Sequence, residues 1–131
     1  MESLIRGIHH VALKCGGTEA FEKTISFYRD VLGLEVLRRW GQGQEAGAML
    51  STGNGLLEIF ASGEPLPQGT IRHFALATDR VDACVAAVSA AGYPITVEPK
   101  DVVIQSQPPF PIRIAFCNGP MGEVIEFFQE R

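Results

Sequence analysis

Long hydrophobic runs are missing from the sequence, and so are the cysteine spacings of a disulfide or zinc framework. No segment approaches the roughly 18 consecutive apolar residues that a membrane-spanning helix needs, which argues against a membrane protein. Residues 1–6 do not form a charged leader before an apolar core, as a signal peptide would. The cysteines, Cys15, Cys84 and Cys117, lack any C-x-x-C spacing, and we interpret them as reduced structural thiols. These absences together predict a cytoplasmic protein.

Basic residues are scarce as well. The chain has 11 lysines and arginines against 15 acidic residues, which gives a formal net charge of -4. Such a chain would repel a polyphosphate, so nucleic acid is not an expected partner. A length of 131 residues with 46% hydrophobic and 20% charged residues is typical of one globular domain, here residues 1–131. We expect its partner to be a small molecule.

An internal repeat divides this domain into two modules. The strand-like sequence HVAL at residues 10–13 returns as HFAL at residues 73–76. A second strand-like sequence, LEIF at residues 57–60, resembles IEFF at residues 125–128. The repeat therefore predicts a first module from about residue 5 to 65 and a second from about residue 70 to 131.

A helical pattern follows the first strand of each module. Gly33 stands where a left-handed helix end belongs, Gly92 ends the second helix, and Asp79 is a candidate for its N-cap. The apolar positions that mark the two helices are Phe21, Ile25, Tyr28 and Leu32 in the first module and Val81, Val85 and Val88 in the second.

Short extended segments fill the rest of each module. They are residues 34–40, 46–51 and 56–61 in the first module and 95–98, 102–106, 112–117 and 123–128 in the second. Strand, helix and three strands, repeated twice, predict an α+β fold. We expect the two modules to form one cupped mixed sheet with the helices on its outer face.

Four polar residues occupy matching positions in the two copies. Side chains alternate along a strand, so His10 and His73 in the opening strands should face the concave side together with Glu58 and Glu126 in the closing strands. A carboxylate among apolar neighbours is costly to desolvate unless it is paired or bound to a cation. Two imidazoles and two carboxylates are ligands that suit a borderline divalent metal ion. The pattern therefore predicts a metal site, and the small neighbours Ala12 and Ala75 leave room for substrate on the metal.

At these residues the chain resembles the vicinal oxygen chelate superfamily, which includes glyoxalases, bleomycin resistance proteins and dioxygenases. It is most similar to the metal-dependent glyoxalase I enzymes, or lactoylglutathione lyases. The resemblance rests on the order and spacing of five segments: residues 9–13 (HHVAL), 26–34 (SFYRDVLGL), 57–59 (LEI), 73–76 (HFAL) and 122–126 (GEVIE). It implies two βαβββ modules, a homodimer, and metal ligation by His10, Glu58, His73 and Glu126.

The resemblance also implies a reaction. In glyoxalase I, the hemithioacetal of methylglyoxal and glutathione loses a carbon-bound proton to a metal-associated glutamate and passes through an enediolate. An enediolate needs concentrated positive charge, which a metal ion supplies as a Lewis acid. By resemblance Glu126 is the catalytic base and Glu58 its pseudo-symmetric competitor. The ligand set admits one ion of nickel, zinc, cobalt, manganese or iron.

Substrate contacts depart from the glyoxalase I pattern. Those enzymes carry an arginine four residues after the first ligand, whereas this chain has Lys14, which keeps the charge and loses the bidentate fork. An asparagine that often contacts glutathione is replaced by Ser62. We retain Lys14, Ser62 and Arg113 as expected substrate-binding residues.

Three other functions are compatible with the sequence. A methylmalonyl-CoA epimerase uses similar proton transfer and would need a basic rim, for which Arg38, Arg39 and Arg113 are available. An extradiol dioxygenase binds iron with two histidines and one carboxylate, so the second glutamate argues against it. A bleomycin-resistance type of protein would hold an aromatic drug without metal and without catalysis.

Overall fold

A computed structural model of the chain describes residues 8–63, 73–105 and 108–131. The chain divides into two compact units, Met1–Pro65 and Leu66–Arg131. The elements of the first unit are β1 (His10–Lys14), α1 (Thr18–Ser26), β2 (Glu35–Trp40), β3 (Gly47–Ser51) and β4 (Leu56–Phe60). Those of the second unit are β5 (Phe74–Ala77), α2 (Val81–Ala90), β6 (Ile95–Ile104), β7 (Phe110–Asn118) and β8 (Val124–Glu130).

Each unit contains a four-stranded mixed sheet with the same topology. The strand order is β1-β4-β3-β2 in the first sheet and β5-β8-β7-β6 in the second. The opening strand pairs in parallel with the closing strand, and the remaining neighbours are antiparallel. The predicted α+β fold with two βαβββ modules is confirmed, and each module has its own sheet. In the part of the chain that the structure describes, no helix combines the length and the apolar character needed to cross a membrane.

The hydrophobic core of each unit lies between the sheet and its helix. In the closing strands the buried apolar side chains are Leu57 and Ile59 in the first unit and Ile125 and Phe127 in the second. The glutamate between each buried pair must point to the opposite face of the sheet, because side chains alternate along a strand. This face, which we call the open face of each unit, therefore carries the glutamates.

The first helix ends earlier than its apolar period predicts. Helix α1 ends at Ser26, and Phe27–Val31 wind as a wider π-helical turn in which the Leu32 N–H donates to the Phe27 carbonyl at 3.3 Å. The wider turn shifts the helical phase, so Phe27 and the adjacent Tyr28 are both buried. Gly33 then adopts the left-handed conformation expected for it, with φ of 78°.

The second helix begins differently from the prediction. Asp79 does not cap α2, and that expectation was wrong. The Val81 N–H instead donates to the side-chain oxygen of Gln129 in β8 at 3.2 Å. The Arg80 N–H donates to the Thr78 hydroxyl at 3.0 Å. A residue distant in sequence therefore satisfies the helix start, which a local capping rule could not reveal.

The segments 95–98 and 102–106 were also wrong as separate strands. Residues 95–98 and 102–104 belong to one strand, β6, which continues through Pro99 with two register shifts, between Ile95 and Val97 and between Val97 and Lys100. Residue 106 lies outside the described residues. Proline lacks a backbone donor, but β6 is the edge of its sheet, where one side of a strand needs no partner.

Candidate metal centre

Parallel pairing of β1 with β4 brings a histidine and a glutamate together in the first unit. The register places Ala12 beside Glu58, with His10 one open-face position before it. The Nε2 atom of His10 lies 3.4 Å from Oε1 of Glu58. The histidine is exposed, whereas only 14% of the glutamate side chain is accessible.

The second unit repeats this arrangement. Ala75 of β5 lies beside Glu126 of β8, and His73 immediately precedes β5. The Nε2 atom of His73 lies 3.2 Å from Oε1 of Glu126, whose side chain is 11% accessible. The ring of Phe116 meets the His73 ring edge-to-face, with 5.4 Å between their centroids. The predicted histidine and glutamate of each module are therefore neighbours.

Both separations fit two ligands of one divalent ion. At metal–ligand distances of about 2.0–2.2 Å, two ligand atoms lie about 3.0 Å apart in octahedral and about 3.4 Å apart in tetrahedral geometry. The observed 3.4 Å and 3.2 Å fall within this interval. Within residues 8–63, 73–105 and 108–131 no group of three or more His, Cys, Asp and Glu side chains is suited to hold an ion. The structure thus presents the four predicted ligands as two pairs.

His9 contacts the first of these pairs. Its Nδ1 atom lies 3.0 Å from Nδ1 of His10, and the two rings meet edge-to-face. Metal-binding histidines commonly use their second ring nitrogen for such an orienting hydrogen bond, which here leaves Nε2 of His10 facing Glu58. His9 precedes β1, so the alternation of side chains along the strand does not fix its orientation.

The sequence matches a known protein family. A family model described as Glyoxalase/Bleomycin resistance protein/Dioxygenase superfamily matches residues 7–127, which is nearly the whole chain. The chain belongs to this superfamily. The resemblance seen in the five sequence segments is thereby confirmed. No protein with a curated description matches the sequence significantly.

Solved structures share the glyoxalase superfamily fold with this chain at low sequence identity. An antibiotic binding protein from Streptomyces sp. CB03234 is 21% identical over 99% of this chain and 100% of its own, with a TM-score of 0.75. A glyoxalase family protein from Enterococcus faecalis is 24% identical over 96% and 99%, with a TM-score of 0.72. A lactoylglutathione lyase from Agrobacterium tumefaciens is 20% identical over 97% and 96%, with a TM-score of 0.67. These likenesses show a common fold.

The structure places the expected substrate-binding residues on different surfaces. Lys14 lies on the open face of the first unit, beside Phe60 of β4. Ser62 is exposed just after the end of β4. Arg113 lies opposite Gln129, whose side chain reaches α2, so it occupies the helix side of its sheet, away from Glu126.

Arg113 is bound to two carboxylates on that side. Its Nε and Nη2 donate to Asp82 at 2.8 Å each, and Nη1 donates to Asp101 at 3.2 Å. These bonds raise the pKa of Arg113 and lower the pKa of Asp82 from their usual values. The Arg113 guanidinium therefore links α2 to the sheet through Asp82 and Asp101.

The other two arginines of the suggested basic rim also separate. Arg39 binds Glu22 of α1 and lies over the Phe21 ring, on the helix side. Arg38 points to the open face, where its Nη1 lies 3.3 Å from the Met49 sulfur. The three arginines do not form one rim.

The cysteines fit the expectation of structural thiols. All three are free, and Cys15 and Cys117 are fully buried. Burial raises the pKa of Cys117 to about 12. A thiol with so high a pKa is protonated at neutral pH and therefore inert as a nucleophile.

The Arg113 contacts predict a pH-dependent loss of stability. Arg113 lowers the pKa of Asp82, so the pair contributes stability above the unfolded pKa of Asp, about 3.9, and loses it as the pH falls through the lower folded value. We expect Arg113→Met to lower the urea midpoint at pH 6, and the difference from the wild type to shrink below about pH 4. Asp82→Asn serves as the control, because Arg113→Met should lower the urea midpoint less in the Asp82→Asn background than in the wild type. A difference that does not change with pH would contradict this account.

Proposed function

We propose that the two His–Glu pairs together hold one divalent metal ion, with His10, Glu58, His73 and Glu126 as its ligands. The observation that carries this proposal is the repeated pairing at 3.4 Å and 3.2 Å in equivalent strands of the two units. Superfamily members typically bind a divalent metal, which supports the same interpretation. Nickel, zinc, cobalt, manganese and iron all suit this donor set.

We propose that the protein is a metal-dependent lyase or isomerase of the glyoxalase I type, acting on the hemithioacetal of a 2-oxoaldehyde and a thiol. The bound metal supplies Lewis-acid stabilisation of negative charge on the substrate oxygens. The Glu126 carboxylate accepts the proton from the carbon that bears hydroxyl and sulfur, and returns it to the neighbouring carbon. The substrate atoms are thereby rearranged into a hydroxyacyl thioester with no redox partner. We propose Lys14 and Ser62 as the contacts of the thiol portion, and we no longer include Arg113, because its guanidinium is bound to Asp82 and Asp101.

Metal reconstitution followed by an activity assay tests this proposal. The protein is stripped with a chelator and reloaded separately with nickel, cobalt and zinc, and bound metal is measured by elemental analysis. Each form is then assayed with the hemithioacetal of methylglyoxal and glutathione. We expect one bound ion for every complete set of four ligands. We also expect at least one of the metal-loaded forms to convert the hemithioacetal. If metal binds but no form converts the hemithioacetal, the proposed metal site is retained and the proposed substrate is rejected.

A non-catalytic binding protein is the second candidate. It is favoured by the aromatic contact between Trp40 and Phe60 on the open face of the first unit, with 6.0 Å between ring centroids. The solved antibiotic binding protein shows that this fold serves binding in another protein. Failure to take up any metal after reconstitution would select this candidate. The epimerase alternative loses support, because its expected basic rim is divided between two faces.

We also propose that the protein works as a cytoplasmic homodimer. Dimers are frequent in this superfamily, and free cysteines suit a reducing compartment. Light scattering coupled to size exclusion measures the mass directly. A monomer at working concentration would remove the dimer from the proposal without affecting the metal ligands.

The contact between His9 and His10 leads to a prediction about metal affinity. His9→Ala should weaken metal binding by about 10–100-fold, which is typical of losing a hydrogen bond that orients a ligand. The fold should be unaffected, because His9 is exposed and lies outside β1. Competition with a chromophoric chelator measures the change. Unaltered affinity would mean that the contact between the two rings does not orient the ligand.

A further inference from the structure

Two rows of side chains cross the open face of the first unit, as the strand registers define them. The first row runs from Arg38 through Met49 and Glu58 to Ala12. The second row runs from Trp40 through Gly47 and Phe60 to Lys14. The metal-binding glutamate of this unit is thus next to a surface formed by Arg38, Trp40, Met49 and Phe60, which we call the Arg38–Trp40 subsite.

Close packing holds the indole of this subsite in place. A Cβ atom at Gly47 would overlap the Trp40 ring, so the indole lies directly over the glycine backbone. The Trp40 ring also meets the Phe60 ring at 70°. Glycine inside a strand often marks such a close approach. The result is a preformed, half-buried aromatic surface beside Glu58.

Arg38 differs from the other arginines whose side-chain contacts are described. Arg29, Arg39, Arg113 and Arg131 each bind a carboxylate. For Arg38, the part of the chain that the structure describes provides only the Met49 sulfur, a weak acceptor. A guanidinium has five N–H donors, so most of those on Arg38 are available to a ligand.

The internal repeat shows which positions have diverged. The histidines, the glutamates and the phenylalanines Phe60 and Phe128 are retained in both units. Five other positions of the two rows differ between the units: Lys14 against Ala77, Arg38 against Val97, Met49 against Phe116, Gly47 against Ile114, and Trp40 against Lys100. The retained residues include all four proposed metal ligands, together with one aromatic residue of the subsite, Phe60. The changed residues build the subsite or, at Lys14, border it in the first unit, which is the pattern expected of substrate selection.

We infer that the Arg38–Trp40 subsite recognises an aromatic carboxylate, with the ring against Trp40 and Phe60 and the carboxylate on Arg38. As a statement about the substrate, this inference rests on the proposed function. Neighbouring strands lie about 4.8 Å apart, so the backbone of Arg38 is about 10 Å from that of Glu58. A ligand would thus present its anionic end to Arg38 and its reacting oxygens to the metal. Lys14 is three strands from Arg38, too far to share one anionic group, so a singly charged carboxylate fits better than a phosphate.

Tryptophan fluorescence tests this inference, because Trp40 is the one tryptophan of the chain. The 131-residue protein is treated with a chelator, since an open metal position would itself bind a carboxylate. It is then titrated with 4-nitrobenzoate and, separately, with the neutral 4-nitrobenzamide. We expect saturable quenching by the carboxylate and binding of the amide at least about 10-fold weaker, the effect of a charge-assisted hydrogen bond. Free N-acetyltryptophanamide corrects for absorption by the probes.

Variants of two adjacent arginines identify the contact. Arg38→Met should weaken binding of 4-nitrobenzoate about 10-fold or more and leave 4-nitrobenzamide unchanged. Arg38→Lys should give an intermediate affinity, because it retains the charge and loses the fork. Arg39→Met is the matched control, since Arg39 faces α1 and should not alter either affinity. Circular dichroism verifies the fold of each variant.

The outcomes separate this inference from the proposed function. Equal affinities for the two probes, equal losses in Arg38→Met and Arg39→Met, or no saturable quenching would overturn the subsite. If 4-nitrobenzoate binds as expected and Arg38→Met weakens it, but the protein takes up no metal, the protein binds aromatic carboxylates without metal chemistry. If the protein binds metal but has equal affinities for 4-nitrobenzoate and 4-nitrobenzamide, the proposed function is retained and its substrate is not an aromatic carboxylate.

Discussion

Replacing His73 by alanine is expected to weaken metal binding roughly 100-fold or more, and His10→Ala should cause a loss of similar size. Structural zinc sites with four ligands bind with about 10–16 kcal/mol, so the average share of one ligand is roughly 3 kcal/mol, which corresponds to about 100-fold in affinity. The two losses should be similar because the His–Glu distances are 3.4 Å and 3.2 Å in the two units. Competition against a chromophoric chelator measures both affinities under the same conditions.

The stoichiometry distinguishes one shared site from two separate sites. If both pairs hold the same ion, either histidine variant lowers the affinity of the single site, and the double variant retains no specific metal. If each pair held its own ion, the wild type would bind twice as much metal and each single variant would lose half of it. If the pairs were only hydrogen bonds between imidazole and carboxylate, metal uptake would not depend on either histidine. His9→Ala, with its smaller expected loss, provides the internal reference.

Periodicity and the internal repeat made much of the fold predictable. Alternation along short strands is strict, so the apolar neighbours Leu57 and Ile59 identify the face of Glu58 without any tertiary information. The same argument applies to Glu126 between Ile125 and Phe127. The repeat predicted equivalent opening and closing strands, and the structure adds that they pair in parallel, which brings each histidine to its glutamate.

The misses have a common physical cause in tertiary contacts. The Val81 N–H is satisfied by Gln129, a residue of the final strand, so local sequence indicated the wrong cap. The π-helical turn after Ser26 holds about one residue more than an α-helical turn, and a pattern with a period of 3.6 residues could not reveal it. Two strands were predicted where β6 runs continuously through Pro99, because an edge strand tolerates proline.

The sequence also could not predict which face of the sheet each arginine occupies. Arg38 and Arg39 are adjacent and chemically identical, but one faces Met49 and the other faces Glu22. A register shift between Val36 and Arg38 decides which of them reaches the open face. One-residue shifts of this kind exchange the two faces of a strand, and their position depends on pairing with β3. That the four predicted ligands complete one site stays a prediction.

Glu58 and Glu126 occupy equivalent positions of the internal repeat, but we expect them to contribute unequally to turnover. The rows that contain them differ: Glu126 lies between Ala75 and Phe116, whereas the row of Glu58 extends through Met49 to Arg38. Apolar neighbours keep water away from a proton in transit, which favours Glu126 as the base. A row that ends in a cation is better suited to orient an anionic substrate, which leaves Glu58 mainly to hold the ion.

Glu126→Gln should therefore reduce turnover by at least about 100-fold, the effect typical of losing a general base, while metal binding weakens less than activity does. The amide oxygen can still approach the ion, but it cannot accept a proton at neutral pH. Glu58→Gln has the same shape and the same loss of charge, so it is the matched control and should retain more activity. Turnover at saturating substrate and metal affinity by chelator competition are measured for both variants. Equal losses of turnover would show that proton transfer is shared between the two carboxylates, and full activity of Glu126→Gln would place the base on another residue.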